Sequence, residues 1–399
     1  MFVKIISAWE RVVSDKMPAL MRSATELAPE KTSESVVASP VSTPRPKRLY
    51  ADYIRTCAAL GVVLIHATGT YLFNFNPDTP FDARWWTGNV CSSLVRWATP
   101  FFILLSGSFM LSPSRPETTK EFLLKRVRRV LQPFAFWALV YLAYQYRGSF
   151  TGIGFPGLGE VLHKIFFQDV YYHLWFIPMI MGLYLLTPTF RIFVKNASRA
   201  DIEYFLVVAF TFTAFQHLLP GFFVFKYVGW LGFIGFYVLG YYLSTYTLRP
   251  LVRKWLYGLG LLAPVFTAIG TWWVSMDTGA HDQKFYIYSS PNVVIMTAAL
   301  FAWFKEYDWE AFAVRHPKVD GLVRQFAALS FGIYFVHVLI LDVLKNGYLA
   351  GIRISADFFF GYAVHPVLGA LLQWVSAVLL SVGVIYLLSK IKGAKKWLM

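Results

Sequence analysis

The chain has 399 residues, of which 57% are hydrophobic and 15% are charged. Soluble domains carry about 25% charged residues, so this composition excludes an ordinary soluble enzyme, a disordered protein and a coiled coil. It indicates an integral membrane protein. The net charge is +15, but so apolar a chain leaves no free basic surface, and we do not expect it to bind nucleic acid.

Residues 1–48 differ from the rest of the chain. The first 22 mix apolar and charged residues, which favours a short interfacial helix over a signal peptide. Residues 23–48 are rich in Ser, Thr and Pro and are predicted to form a flexible cytoplasmic tail. Residues 49–399 are predicted to form one membrane domain.

Ten apolar stretches long enough to span a bilayer follow one another from residue 50 onward. Helices are the expected elements, because open sheet edges cannot satisfy their backbone in lipid and barrel alternation is absent. The predicted fold is an all-α, polytopic transmembrane bundle. Its ten spans lie at roughly 51–72, 85–111, 130–147, 172–193, 202–219, 227–247, 253–274, 288–305, 323–345 and 364–389.

The distribution of Lys and Arg predicts the orientation of these spans. If the N-terminus is inside, the inner segments hold 28 of the 37 basic residues and the outer loops hold seven. The remaining two, Arg55 and Arg96, lie within spans. This asymmetry predicts that both termini are cytoplasmic.

Ionisable residues inside spans are costly and usually face a cavity or a partner. Arg55 and His66 are eleven residues apart, which places them on one helix face and about 16 Å apart along the axis. Counted from the inner ends of their helices, His66, Arg96 and His337 share a depth of about 21–22 Å. We therefore expect a shared polar cavity. The alternative is that a backbone carbonyl satisfies each residue separately.

Two further segments each allow two interpretations. His173 and Trp175 begin the fourth span beside Tyr171 and Tyr172, where they belong either to the polar site or to an interfacial aromatic belt. The loop run Lys125-Arg126-Val127-Arg128-Arg129 is either a topological anchor or a cradle for phosphate, which Arg forks bind well. No His, Cys, Asp or Glu cluster has metal-ligand spacing, so we expect no metal.

Five motifs in this order resemble the acyltransferase-3 family of integral membrane acyltransferases. The resemblance covers about residues 48–390 and is closest to the branch that O-acetylates surface glycans. The motifs are Arg55-x10-His66, Phe101-Phe102 with Ser106-Gly107, Arg126-x-x-Arg129 with Pro133, His173-Leu174-Trp175-Phe176, and Ser330 with Tyr334 and His337.

The resemblance implies transfer of an acyl group, usually acetyl from cytoplasmic acetyl-CoA, to a hydroxyl of an envelope or exported polysaccharide or glycolipid. Acyl-CoA, that acceptor, membrane lipid and polysaccharide-synthesis machinery are the expected partners, and a bacterial inner membrane is the expected location. Acetyl and succinyl donors both remain open, as do the identity of the acceptor and the oligomeric state.

Within this interpretation His66, Arg55, Arg96 and His337 are the predicted catalytic residues. His66 acts either as a general base on the acceptor hydroxyl or as a nucleophile that forms an acyl-imidazole. Arg55 assists at the donor entrance, while Arg96 or His337 stabilises the oxyanion. The predicted donor-binding residues are Arg126, Arg128, Arg129 and Ser106, and the predicted acceptor-binding residues are His173 and Trp175.

Two other functions fit ten spans with a polar cavity. A transporter or flippase for a lipid-linked glycan predicts paired inverted halves with broken helices, which the sequence does not display. A non-catalytic scaffold of a polysaccharide synthase predicts no requirement for His66. Binding of acyl-CoA discriminates the enzyme from the transporter.

Overall fold

The computed structural model describes residues 49–73, 80–112, 117–147, 157–167, 170–219, 229–348, 351–355, 358–360 and 362–393. The tail and interfacial helix predicted for residues 1–48 lie outside these ranges.

Helices make up nearly all of the described chain, which confirms the all-α membrane fold. The helices are α1 (Leu49–Phe73), α2 (Ala83–Val95), α3 (Ala98–Met110), α4 (Thr119–Gln145), α5 (Leu158–Phe167), α6 (Phe176–Asn196), α7 (Arg199–Leu218), α8 (Gly229–Thr245), α9 (Pro250–Thr278), α10 (Pro291–Glu306), α11 (Trp309–Arg315), α12 (Pro317–Asn346) and α13 (Pro366–Lys390). The strands β1 (Phe358–Phe359) and β2 (Tyr362–Ala363) form a short antiparallel pair, with Phe358 opposite Ala363.

Each of the ten predicted spans coincides with helix. Among the described residues, seven helical segments are long and apolar enough to cross a membrane, and they are Leu49–Phe73, Ala83–Met110, Phe176–Asn196, Pro250–Thr278, Lys284–Glu306, Pro317–Asn346 and Pro366–Lys390. The other three predicted spans correspond to α4, α7 and α8. The total of ten and the cytoplasmic position of both termini stay predictions.

The second predicted span is interrupted between α2 and α3, at Arg96 and Trp97. Pro100 supplies the physical reason, because its ring lacks an N–H and crowds the carbonyl of the residue four positions earlier, which is Arg96. The interruption places Arg96 at a helix end.

The basic run 125–129 lies within α4 and not in a loop, which corrects the sequence interpretation. Helix α4 begins eleven residues before the predicted span because Thr118 and Glu121 form a capping box, a strong helix-start signal. The arginines are therefore fixed on particular helix faces.

Helix α1 packs against α2, α3, α12 and α13. The Thr56 hydroxyl donates to the Val323 carbonyl of α12 (3.0 Å), and the Trp374 indole of α13 donates to the Leu60 carbonyl (3.0 Å). Since neighbours on several sides fix α1, the side chains of Arg55 and His66 are held in place along it.

Two glycines allow α3 and α8 to touch through their backbones. A Cβ atom on Gly107 of α3 would collide with the Tyr237 carbonyl, and one on Gly240 of α8 would collide with the Leu104 carbonyl. Small residues permit such close approach in membranes. The Ser106-Gly107 segment therefore packs closely against α8.

We predict that Gly240→Ala lowers the free energy of unfolding by at least about 1–3 kcal/mol, because the added methyl group must push the backbones of α3 and α8 apart. The check is the unfolding midpoint of the purified chain in detergent. Gly258→Ala on α9 is the matched control, since a Cβ atom there meets nothing within 4 Å. Equal midpoints for the two variants would contradict the packing argument.

Candidate functional site

One cavity of about 240 Å³, here called the chamber, collects most of the predicted site residues. Side chains from α1, α3, α4, α6 and α12 line it, together with the turn before α6 and Tyr288. The lining includes the predicted residues Arg55, His66, Ser106, Arg126, Arg129, His173 and Trp175. Its volume is below the ~300–1,000 Å³ of drug-sized ligand pockets, so it suits a slender chain better than a whole nucleotide.

Three histidines meet at one end of the chamber and form what we call the histidine cluster. The ring centroid of His66 lies 5.2 Å from that of His337 and 6.4 Å from that of His173, and the His173–His337 distance is 5.4 Å. His173 and His337 are buried, while the accessible part of His66 lines the chamber. His173 therefore belongs to the polar site and is not part of an exposed aromatic belt.

His337 has a defined tautomer when it is neutral. Its Nδ1 lies 3.0 Å from the Ile333 carbonyl, and a carbonyl only accepts, so Nδ1 carries the proton. The buried Nε2 has no hydrogen-bond partner. Neutral His337 thus offers a lone pair and not a proton, which argues against neutral His337 as an oxyanion donor.

The turn that carries His173 and Trp175 is held by Tyr334, a residue in the quoted motif that was not predicted as a site residue. The Tyr334 hydroxyl donates to the His173 carbonyl (2.8 Å). Among the residues that the structure describes, no hydrogen-bond partner meets the buried ring nitrogens of His173 with normal geometry. The Trp175 ring stacks on Tyr288 at 5.8 Å.

Tyr141 of α4 fixes the position of α12 around His337. Its hydroxyl donates to the Phe335 carbonyl (2.7 Å) and accepts from the Leu339 amide (3.1 Å). Residues four apart are normally hydrogen-bonded to each other in a helix, so this hydroxyl bridges two groups of one helical turn. No sequence pattern indicates this contact, because a tyrosine within a span is equally typical of lipid-facing or packed positions.

Arg55, Arg126 and Arg129 line the chamber and form its basic mouth. Arg55 pairs with Asp52 at 2.8 Å, about 16 Å of helix rise from His66. The buried Nε of Arg126 has no hydrogen-bond partner. Since buried donors are rarely left unpaired, this nitrogen favours an anionic ligand.

Helix geometry separates Arg128 from this mouth. Residues three apart share a helix face, so Arg126 and Arg129 point the same way, and Arg128 points elsewhere. Arg128 is exposed and is not among the described residues that line the chamber. The structure therefore does not support donor binding by Arg128.

Arg96 is not among the described residues that line the chamber, although its charge lies close enough to act on His66. Its Nε donates to the Tyr286 carbonyl (2.9 Å), and its guanidinium lies over the Tyr286 ring (4.4 Å) and the Tyr288 ring (5.4 Å). Equal depth along the membrane does not require equal azimuth around the bundle, and the Arg96 guanidinium is held by Tyr286 beside the chamber and not in its lining. Arg96 positions Tyr288, which does line the chamber.

Arg191 secures the segment next to the basic mouth and was not singled out from the sequence. It donates to the Met110 carbonyl at the end of α3 (2.7 Å) and to Glu117 (2.8 Å) before α4. Its guanidinium also covers Phe122 at 4.3 Å, the ring that Arg126 covers from 5.4 Å. Arg191 thereby ties the ends of two helices that line the chamber.

Ser106 lies in the chamber wall, 3.4 Å from the hydroxyl of Tyr184. Within the described part of the chain, no group of three or more His, Cys, Asp or Glu side chains could hold a metal ion.

The chamber is an elongated cavity with cations at one end and imidazoles at the other. This arrangement suits an anionic ligand with a reactive end.

Comparisons with known proteins relate this chain to one family and to part of one curated protein. The sequence model of a family described as an acyltransferase domain matches residues 48–390. A curated serine/alanine racemase of Enterococcus gallinarum is 25% identical over 142 residues, which are 34% of this chain and 19% of that protein. The chain thus matches about a fifth of that relative's length. No solved structure matches it.

We predict that the Glu117–Arg191 pair makes a pH-dependent contribution to stability. Burial raises the pKa of Glu117, but the hydrogen bonds and charges of Arg191 and Lys125 outweigh burial and hold the pKa below the ordinary 4.5. The contribution should be complete above pH 4.5 and be lost as pH falls through the lower, folded-state pKa. Glu117→Gln should cost about 1 kcal/mol at neutral pH.

Unfolding midpoints measured across pH check this prediction. The difference between wild type and Glu117→Gln should shrink as the pH drops below 4.5. Glu310→Gln, at an exposed position, is the control. A difference that stayed constant down to low pH would show that the carboxylate charge is not involved.

Proposed function

The chain belongs to the acyltransferase-3 family and is a multi-pass membrane acyltransferase. On that premise, we propose that it transfers an acyl group, acetyl by preference, from cytoplasmic acyl-CoA. The acceptor is a hydroxyl of a cell-envelope glycan or glycolipid. The observation that carries the proposal is that one chamber is lined by both the basic mouth and His66. We further propose that it acts in a bacterial inner membrane, beside polysaccharide-synthesis machinery.

The donor enters through the basic mouth. Its phosphates bind Arg126 and Arg129, with Arg55 assisting, since guanidinium forks bind phosphate oxygens well. The pantetheine arm then lies along α1, whose rise between Arg55 and His66 is about 16 Å. The chamber volume of about 240 Å³ fits such an arm, while the nucleotide stays outside the mouth.

His66 performs the transfer in one of two ways. As a general base, it takes the proton of the acceptor hydroxyl while the oxygen attacks the thioester carbonyl, and it returns that proton to the departing CoA thiolate. As a nucleophile, it displaces the thiolate and forms an acyl-imidazole, while the ring N–H proton leaves with the thiolate as CoA thiol. The acceptor hydroxyl then attacks the acyl-imidazole, and its proton restores the ring N–H. Both routes begin with neutral His66.

His337 supports either route as a proton acceptor. Its Nδ1 proton is engaged by the Ile333 carbonyl, so the free Nε2 is the end that faces a mobile proton. Its ring centroid is 5.2 Å from that of His66. A proton leaving the acceptor thus has a second base close to the first, which keeps positive charge from accumulating on one buried ring.

The acceptor approaches from the side of His173 and Trp175. The ring nitrogens of His173, which have no partner among the described residues, suit hydroxyl groups, which both donate and accept hydrogen bonds. Trp175 and Tyr288, which stack on each other, line the chamber beside His173 and add apolar surface there. This combination of imidazole nitrogens and apolar ring surface favours a carbohydrate acceptor.

We predict that His66→Ala lowers kcat for acyl transfer by about 10²–10⁴-fold, the usual contribution of a positioned acid–base group. The measurement is the release of CoA and the labelling of glycan by purified, membrane-inserted protein. His365→Ala, at an exposed position far along the chain, is the matched control. Full activity of His66→Ala at normal expression would rule out its catalytic role.

We predict that Arg126→Ala combined with Arg129→Ala weakens CoA binding by about 10–100-fold, or about 1.4–2.7 kcal/mol, which is about the net contribution of one hydrogen bond to a charged group. Arg128→Ala should bind CoA like wild type. Calorimetry in detergent compares the three proteins. If Arg128→Ala weakened binding as much as the double variant, the mouth would act through general charge and not through contact.

A further inference from the structure

Two further concavities lie outside the chamber, at the end of α9 that is predicted to face outward. The first is an apolar groove of about 510 Å³, the α9 groove, formed by seven residues of α9, among them Val265 and Ile269, together with Phe285. The second is a polar pocket of about 380 Å³, the head pocket, lined by Gln216, His217, Asp282, Gln283, Lys284 and Ile287.

The two concavities adjoin across a single ring. Phe285 lines the α9 groove, and its ring packs edge-on against His217 of the head pocket, at a centroid distance of 5.9 Å. Gly270 makes room for this ring, because a Cβ atom there would lie only 2.9 Å from it. Together the concavities match an amphiphile, with a chain on one side of Phe285 and a polar head on the other.

His217 indicates that the head pocket is made for a ligand. The residue is only 7% exposed, yet neither of its ring nitrogens has a hydrogen-bond partner in the part of the chain that the structure describes. Buried polar groups are normally hydrogen-bonded, so an unpartnered imidazole in a pocket wall is an exception that a ligand resolves.

The remaining polar groups define the chemistry of that ligand. Asp282 and Lys284 contribute opposite charges, and Gln216 and Gln283 each offer both an acceptor and donors. A set with no net charge and with mixed donors and acceptors does not select an anion. It matches a head rich in hydroxyl groups, each of which donates and accepts.

The head pocket also lies close to the chamber along the chain. Ile287 lines the pocket and the next residue, Tyr288, lines the chamber. Phe285 and Tyr288 are three residues apart, so their Cα atoms are separated by at most about 11 Å. A molecule bound at Phe285 is therefore separated from Trp175 and Tyr288 by about the length of one or two sugar units.

We propose that the α9 groove and the head pocket bind the lipid-linked end of a glycolipid acceptor, with its hydrocarbon chain along α9 and its first sugar against His217. This proposal rests on the acyltransferase function proposed above and narrows the acceptor from any envelope glycan to one that carries a lipid. The next sugar then reaches the chamber from the side of Tyr288.

Photolabelling of the full chain in phosphatidylcholine nanodiscs tests the binding step without requiring turnover. The probe is a dodecyl glucoside with a diazirine in its chain, and the reference is a phosphocholine with the same chain. We expect the glucoside to label the 262–274 segment about tenfold more than the phosphocholine, a ratio that corresponds to about 1.4 kcal/mol of preference. Equal labelling would overturn the proposal, because the groove would then be ordinary lipid-covered surface.

Matched variants locate the labelled site. Val265→Trp fills the α9 groove and should reduce glucoside labelling about tenfold, which corresponds to roughly 55 Å² of lost apolar contact. Val252→Trp is its control on the same helix, since the two valines are similarly exposed at 56% and 50% and Val252 does not line the groove. An equal effect of the two substitutions would overturn the proposal.

The head pocket is tested with His217→Phe combined with Lys284→Gln, which keeps a ring against Phe285 but removes the imidazole nitrogens and the lysine charge. The preference for glucoside over phosphocholine should disappear, whereas Lys345→Gln should retain it. A preference that survived the double change would overturn the role of the head pocket.

A kinetic comparison connects binding with acyl transfer. The ratio of kcat/KM for dodecyl glucoside to that for methyl glucoside should fall about tenfold in Val265→Trp and stay at the wild-type value in Val252→Trp. An unchanged ratio would overturn docking of the acceptor. Loss of labelling preference with acyl transfer intact refutes this proposal alone, whereas absence of acyl transfer with labelling intact refutes the proposed function.

Discussion

Lipid supplies no hydrogen-bond partners, and the rest of this structure depends on that constraint. Every polar group inside the bundle must be satisfied by the protein itself. Arg96 meets the requirement through the Tyr286 carbonyl, and Tyr334 meets it through the carbonyl of His173. Several buried polar groups of the described residues have no hydrogen-bond partner. They include His173, Nε2 of His337 and Nε of Arg126, which belong to the mouth or to the histidine cluster, and His217, which lines the head pocket.

The positions of the spans were predictable because lipid requires long apolar stretches, and each predicted stretch coincides with helix. The convergence of His66 and His337 was also predictable, since equal depth on two helices is a necessary condition for contact. Equal depth is not a sufficient condition for lining one cavity, as Arg96 demonstrates. Its guanidinium is held by the Tyr286 carbonyl and lies over the rings of Tyr286 and Tyr288. Azimuth around a bundle depends on packing that no single segment encodes.

The interpretation of residues 125–129 as a loop concealed which arginines act together. The capping box of Thr118 and Glu121 was readable in the sequence and would have placed the run on a helix. Helical phase would then have separated Arg128 from Arg126 and Arg129. By contrast, the contacts of Arg191 with Met110 and Glu117 join segments far apart in the chain, and no local pattern announces them.

Tyr141 couples the position of α4 to that of α12. Its hydroxyl occupies the hydrogen-bonding turn of α12 that contains His337, while the same helix, about 22 Å away by helix rise, carries Arg126. A tilt of α4 that displaces Tyr141 therefore also displaces the turn of α12 around His337. Occupation of the mouth and the alignment of the imidazoles are in this way coupled through α4.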